Sequence, residues 1–343
     1  MRLMPGLRAA LGFVLLPLML GAAVAQTPQD WDKVVAAAKQ EGKVSVYSGY
    51  LSPTNEAIAK AFEVKYGIKV ETLQARGNEL RERLRIEQAT GRPIGDVSHS
   101  AVFVLLSNLQ NEKTLAPIGW VPNASRLNAN FKPVVNEYFV PIFTINYGLL
   151  VNTRLVKPED EPKSWLDLHN PKWQGKILSD DPRAAGGGRV MFMMTVDKFG
   201  PSYQEKLAAQ KVTFARDYNE STRRVARGEY PIYIPYILSD FVNLGGLPVK
   251  YVIPSEGVTY GSYGVAISKT APHPNAARLL ANFYLSEEVQ AIYAKTAHGI
   301  VVDQLEEKLP ANIEPLVKVK PLVAENFPFL EAATEMAIKI YGK

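Results

Sequence analysis

The feature that most constrains the fold is a regular alternation of short apolar strands and amphipathic helices after the first 27 residues. "TPQDWDKVVAAAKQEGK" has helical spacing and stops at Gly42, and "KVSVYSG" follows as a strand with Val44 and Val46 on one side. Ser52 and Pro53 read as N-cap and first helical position of "TNEAIAKAFEVKYG", which ends at Gly67. A strand "IKVETL", a helix from Glu79 to Thr90 and a strand ending in "DVSHS" complete a βαβαβ run. Such alternation implies an α/β fold with a mainly parallel sheet covered on both faces. Two longer β-rich segments, 139–153 and 256–269, bracket a second alternation that contains "KILSD", a helix from about Arg189 to Lys198, "KVTFA", a helix after Ser221, "PIYIPY" and "VKYVI".

Those two long segments are read as crossings between two lobes. The first lobe is then discontinuous, 26–142 plus 268–343, and the second is 143–267, with hinge segments near 142–152 and 258–268. A chain of 343 residues is long for one average domain, which agrees with two bodies.

At the start, Arg2 and Arg8 flank an apolar run that ends in Ala23, Val24 and Ala25, the small-x-small pattern of a cleaved signal peptide spanning 1–25. Its removal takes away two arginines and lowers the formal charge from +5 to +3. Acids are interleaved with the bases, as in "NELRERLRIEQ", so nucleic acid is not the expected partner. The chain has no cysteine, which excludes disulfides, thiolate metal sites and cysteine nucleophiles. A secreted, unanchored, disulfide-free protein fits the periplasm. Hydrolase, P-loop and zinc-protease signatures are absent, and the four histidines are far apart in sequence, so neither an enzyme nor a histidine metal cluster is expected.

Chemistry concentrates in "DDPRAAGGGRVMFMM". Gly186, Gly187 and Gly188 precede a helix, so backbone N–H groups at a positive helix end can meet an anion, with Arg189 or Arg183 adding a charge-assisted bond. The alternative is a loop whose glycines only permit a turn. Ligands of open α/β sheets sit beyond the carboxyl ends of strands, which brings in Ser48 to Ser52, Ser98 to Ser100, Asn219 to Ser221 and Tyr236 to Asp240, each also able to act as a helix cap. Strand period two puts Tyr233 against a helix and leaves Tyr236, at the strand exit, to face a cleft.

The mature chain resembles bacterial periplasmic solute-binding proteins of ABC importers, in the branch of ferric-ion and small-anion binders. "WDKVVAAAKQEGKVSVYSG", "AFEVKYGIKVE", "SWLDLHNPKWQGKI" and "NAARLLANFYLSEEVQAIYA" carry the resemblance. It implies the type II fold, two lobes closing on a solute, and an inner-membrane permease as partner to a monomer. The paired tyrosines of ferric-binding members correspond here to Leu238 and Ser239, so the metal half of that site is missing while the anion half matches Gly186 to Gly188, Tyr218, Asn219 and Ser221. The expected ligand is therefore a small anionic or polar organic solute, with no cofactor and no metal. Gly187, Gly188, Arg189, Ser221 and Tyr236 hold it from one lobe, and Tyr50, Ser52, Ser98 and Ser100 from the other. The rivals are ferric iron with a synergistic anion, using Tyr236 with Tyr260 or Tyr50, and a hydrolase on the same scaffold.

Overall fold

A computed structural model describes residues 28–49, 53–75, 77–132, 137–184, 186–325 and 330–342. The expected signal segment 1–25, Tyr50 and Ser52 lie outside the described residues. The alternation read from the sequence is present. Helix α1 (Pro28–Glu41) leads into β1 (Lys43–Ser48), then α2 (Pro53–Tyr66), β2 (Lys69–Gln74), α3 (Gly77–Thr90), β3 (Val97–Ala101), α4 (Val102–Ser107) and the short β4 (Leu115–Ala116). The long strand β5 (Phe139–Asn152) carries the chain onward. Beyond it come β6 (Ile177–Asp180), α5 (Gly187–Phe199), α6 (Pro201–Ala209), β7 (Thr213–Ala215), α7 (Tyr218–Arg227), β8 (Ile232–Ile237) and β9 (Val249–Val252). A second long strand, β10 (Thr259–Ser268), returns, and α8 (Pro274–Tyr284), α9 (Glu287–Lys295), α10 (Glu314–Val317) and α11 (Leu330–Tyr341) close the chain.

The strands form one curled sheet in the order β2-β1-β3-β10-β5-β8-β6-β7, with β4 beside β10 and β9 beside β5. Its two ends are parallel: β1 pairs with β2 and β3, and β6 with β7 and β8. Its centre is antiparallel, because β5 and β10 run against each other and against the flanking strands. All fourteen residues of β5 are buried, which explains why it reads as an apolar run without alternation: strands flank it and helices cover it. Where β5 and β10 shift register at Gly264, a Cβ would lie 2.8 Å from the Val140 carbonyl oxygen, so only glycine lets the two backbones approach.

Aromatic packing holds the centre. The Phe143 ring stacks on Tyr263 (4.9 Å between centroids) and Tyr293 (4.6 Å) and meets His298 edge-on (5.2 Å). The hallmark tryptophans of "SWLDLHNPKWQGKI" are also core: Trp165 is fully buried and its Nε1 donates to the Gly257 carbonyl at 2.8 Å, tying that segment to the approach of β10.

The C-terminal region returns further than the sequence grouping of 268–343 with the first lobe suggests. After α9 a strap runs alongside the start of β10, where Val258 N–H donates to the Lys320 carbonyl (2.8 Å) and Leu322 N–H to the Val258 carbonyl (2.7 Å). The strap delivers α11 onto α5 and α6, where the Tyr341 hydroxyl donates to Gln204 Oε1 at 2.6 Å and its ring meets Phe214 edge-on. The apolar stripe of α11 has its partner there, a match that no local pattern reveals.

Asp96 clamps the first half. Its buried carboxylate accepts from Ser45 N–H (2.8 Å), His273 N–H (2.7 Å) and His273 Nδ1 (2.9 Å), joining β1, the approach to β3 and the residue before α8. Asp96→Ala strands two buried amides, at about 1–3 kcal/mol each. We expect a loss of roughly 3 kcal/mol in urea denaturation, with Asp96→Asn losing less because it keeps one acceptor oxygen.

Candidate functional site

The parallel ends of the sheet direct their carboxyl edges, and the helix N-termini that follow, to the place where open α/β sheets take ligands. In the first half, Gly49, Gly77 and Ser100 converge there. A Cβ on Gly49 would sit 3.0 Å from Ser100 Oγ, and one on Gly77 3.5 Å from it, so bare backbone surrounds that hydroxyl. Ser98 lies on the same face one pleat further in, and both serines are buried. Between them His99 points the other way, 3.0 Å from Ser48 Oγ, with its ring stacked on Tyr284 and edge-on to Phe143. Burial pushes His99 down to about 4, so it is neutral and part of the core.

In the second half, one amide of the glycine run is already engaged within the protein. Gly188 N–H donates to Asp180 Oδ2 at 2.7 Å, so a carboxylate of the protein already occupies that amide. A Cβ on Gly188 would lie 2.5 Å from the Asp180 carbonyl oxygen, and one on Gly187 2.8 Å from the Tyr147 ring and 3.3 Å from Pro235. Gly187 and Gly188 thus let the start of α5 press against β6, β5 and β8, while Gly186 is exposed. Burial raises the pKa of Asp180 and the Gly188 amide opposes that rise.

The two arginines separate cleanly. Arg183 is consumed: its guanidinium grips Asp181 (2.8 and 3.1 Å) and reaches the carbonyls of Tyr341 and Gly342 near the end of α11. Arg189 Nη2 donates to the Arg183 carbonyl at 3.1 Å, its Nε is enclosed without a partner, and among the described residues no carboxylate pairs with it. Its pKa is lowered by burial alone. A half-buried cation without a counter-ion is the strongest anion-seeking group on this edge.

Helix α7 starts earlier than the sequence suggests, because Asp217 caps it by accepting from Glu220 N–H (2.8 Å). Asn219 and Ser221 therefore belong to its first turn. Asn219 is exposed, and the Ser221 hydroxyl, buried, donates back to the Asp217 carbonyl at 2.8 Å.

The tyrosines also depart from the expected arrangement. The β5–β8 ladder shifts register between Gly148, opposite Tyr236, and Leu150, opposite Tyr233, so two residues of β8, Ile234 and Pro235, face one of β5, Leu149. This bulge turns Tyr236 to the same side as Tyr233, and both enter one apolar cluster with Leu150, Leu178 and Val225. Tyr236 is fully buried instead of facing open space. Its ring stacks on Tyr218 (5.8 Å, 21°), and its hydroxyl lies near that of Tyr218 without hydrogen-bond geometry. Tyr218 accepts from Ile237 N–H at 2.7 Å, which fixes its ring over the exit of β8. Burial raises all three phenols above their ordinary range. At that exit Asp240 is half-buried, with its pKa raised by burial. The sequence reading passed over it as one member of a strand-exit group.

Tyr260 lies in a separate environment. It is buried, edge-on to Phe131, and its hydroxyl accepts from Glu325 N–H at 3.2 Å. Glu325 Oε1 accepts from Ser262 N–H at 3.0 Å, so the strap clasps β10 at two points. Tyr260 and Tyr236 thus serve different packing clusters, and among the described residues no three of His, Asp and Glu gather as a metal site.

A family model for bacterial extracellular solute-binding proteins matches residues 48–291, more than half of the chain. The chain belongs to this family. Members of the family are substrate-binding components of transport systems and not enzymes. This solute-binding protein is 24% identical over 299 residues to a putative 2-aminoethylphosphonate-binding periplasmic protein of Salmonella typhimurium, covering 82% of each chain. It is 25% identical over 307 residues to the major ferric iron-binding protein of Neisseria meningitidis, covering 84% of this chain and 88% of that one. Among solved structures, a Trichodesmium protein (IdiA, FutA) in complex with iron and citrate superposes with a TM-score of 0.73 at 20% identity, covering 88% of this chain and 100% of that one. The shared architecture is the type II periplasmic-binding-protein fold.

The clasp makes a pH prediction. Burial lifts Glu325 from 4.5 to about 7. Between those values the folded chain keeps a proton that the unfolded chain has released, so this group lowers stability as pH rises through the window. Glu325→Gln, which cannot ionise, is expected to exceed the wild type by on the order of 2 kcal/mol at about pH 8 and to lose that advantage near pH 4.5, as read by urea denaturation at both values.

Proposed function

We propose that this protein is the periplasmic receptor of an ABC importer, and that it closes its two halves on a small organic acid bearing a phosphonate, phosphate or carboxylate group before presenting it to an inner-membrane permease. The single observation that carries the choice of an acid is Arg189: a half-buried guanidinium with no carboxylate partner among the described residues, at the first turn of α5 and beyond the carboxyl end of β6. Ser100, framed by Gly49 and Gly77, offers a hydroxyl from the opposite half. The relative named for 2-aminoethylphosphonate agrees with an acid of this kind.

Closure needs a ligand that favours the shut form by roughly 5.5 kcal/mol to move a 1:99 ratio to 99:1. Charge-assisted bonds of about 1.5–3 kcal/mol each can supply that from both halves. Ferric iron fits the residues less well. Tyr236 and Tyr260 sit in separate packing clusters, and the residues corresponding to the paired tyrosines are Leu238 and Ser239.

Calorimetric titration with 2-aminoethylphosphonate, inorganic phosphate and ferric citrate tests the reading. We expect a phosphonate or phosphate to bind with one-to-one stoichiometry, Arg189→Ala to weaken binding at least tenfold with little change in melting temperature, and ferric citrate to add no visible charge-transfer band. Tight iron binding with colour, or unaltered affinity in Arg189→Ala, overturns it.

A further inference from the structure

We propose that Arg216 is a second anion-binding arm of the candidate site, resting on Asp181 and transferring from it to the acid group of the solute. The inference rests on the preceding reading of Arg189 as a contact for that group, and it assigns a residue which that reading does not use.

Strand register brings Arg216 to this edge. β6 and β7 run parallel with Asp180 opposite Ala215, so the next residue of each, Asp181 and Arg216, stand side by side beyond the carboxyl ends of both strands. Asp181 also begins the loop that leads to Arg189, whose Nη2 donates to the Arg183 carbonyl at 3.1 Å. One buried carboxylate, that of Asp181, therefore meets two guanidinium groups, those of Arg183 and Arg216. The neighbouring carboxylates are committed to backbone amides: Asp180 Oδ2 accepts from Gly188 N–H (2.7 Å) and Asp217 Oδ1 from Glu220 N–H (2.8 Å).

The two partners of Asp181 are not equivalent. Arg183 grips both oxygens, with Nε donating to Oδ1 at 2.8 Å and Nη2 to Oδ2 at 3.1 Å, and its own backbone N–H adds a bond to Oδ1 at 3.0 Å. Its Nη1 reaches the carbonyls of Tyr341 and Gly342, its guanidinium lies 5.0 Å from the centre of the Phe214 ring, and only 21% of its side chain is exposed. Arg216 shares a single oxygen, Oδ2, from Nε at 3.3 Å and Nη2 at 3.2 Å, and 72% of its side chain is exposed. An exposed ion pair of that kind contributes little to stability, so breaking it costs little. Asp181 stays paired with Arg183 when Arg216 leaves, so no buried charge is stranded. Arg216 is thus the cation that the fold can release. A phosphonate or phosphate offers three oxygens and nearly two charges, enough for two guanidinium forks, whereas a carboxylate is filled by one. Arg216 then makes the site discriminate between acids by charge.

The test titrates wild type, Arg216→Gln and Arg216→Lys by calorimetry with 2-aminoethylphosphonate and with β-alanine, its carboxylate counterpart, at about pH 8, above the second ionisation of the phosphonate. Arg216→Gln is expected to lose tenfold or more in affinity for the phosphonate and less than threefold for β-alanine, and Arg216→Lys, which keeps the charge but not the fork, to fall between wild type and Arg216→Gln. In proton–nitrogen NMR of the arginine side chains, the Arg216 Nε–H signal, identified by its loss in Arg216→Gln, is expected to move on addition of the phosphonate while that of Arg183 stays in place. No loss in Arg216→Gln, an equal loss for both acids, or an unmoved Arg216 signal overturns this assignment alone, because binding that still depends on Arg189 leaves the acid reading intact. A melting temperature of Arg216→Gln well below that of the wild type makes Arg216 a structural partner of Asp181 and likewise overturns it. Failure of the wild type to bind either acid overturns both this inference and the acid reading.

Discussion

The antiparallel pairing of β5 with β10 is the constraint on which everything else depends. These two strands belong to both ends of the sheet: β10 continues into β3 and β4, and β5 into β8 and β9. Phe143 on β5 and Tyr263 on β10 stack directly, and Tyr293 and His298 close around them, so the pairing is reinforced by side chains from the C-terminal helices. The parallel edges that carry the candidate residues are therefore positioned by one shared ladder.

Electrostatics at the second-half edge is a balance between charges the protein neutralises for itself and charges it leaves for others. Asp181 satisfies Arg183 and Arg216, and Asp180 satisfies the Gly188 amide. Arg189 and Asp240 remain, of opposite sign and without ionic partners among the described residues. Inside a protein, unpaired charges are retained only at a cost. Gly187 and Gly188, by contrast, let α5 pack closely on the sheet.

Much of the architecture was legible in the chain itself. Period-two and helical spacing, with glycine stops at Gly42 and Gly67, located β1 to β3 and α1 to α3, and long β-rich segments located β5 and β10. Those signals are local, set by backbone geometry and by which faces must be buried, and they are enough to specify an α/β fold with two long connecting strands. The strand-exit rule likewise named Ser98 to Ser100 and Tyr236 to Asp240 as candidates, and the glycine run named Arg189, without any coordinates.

What each of those residues does was decided only in three dimensions. Whether Gly188 offers its amide to a guest depends on Asp180, eight residues earlier, and whether Arg183 is available depends on Asp181 and on the end of α11, 158 residues away. Tyr236 changed faces because of a one-residue bulge against β5, which period-two counting cannot anticipate. Spacing along the chain determines which elements form, since that is settled by neighbours within a few residues. Which polar groups are left unpaired is settled by packing between distant segments, and so candidate residues could be named from sequence but their pairing could be assigned only from the tertiary structure.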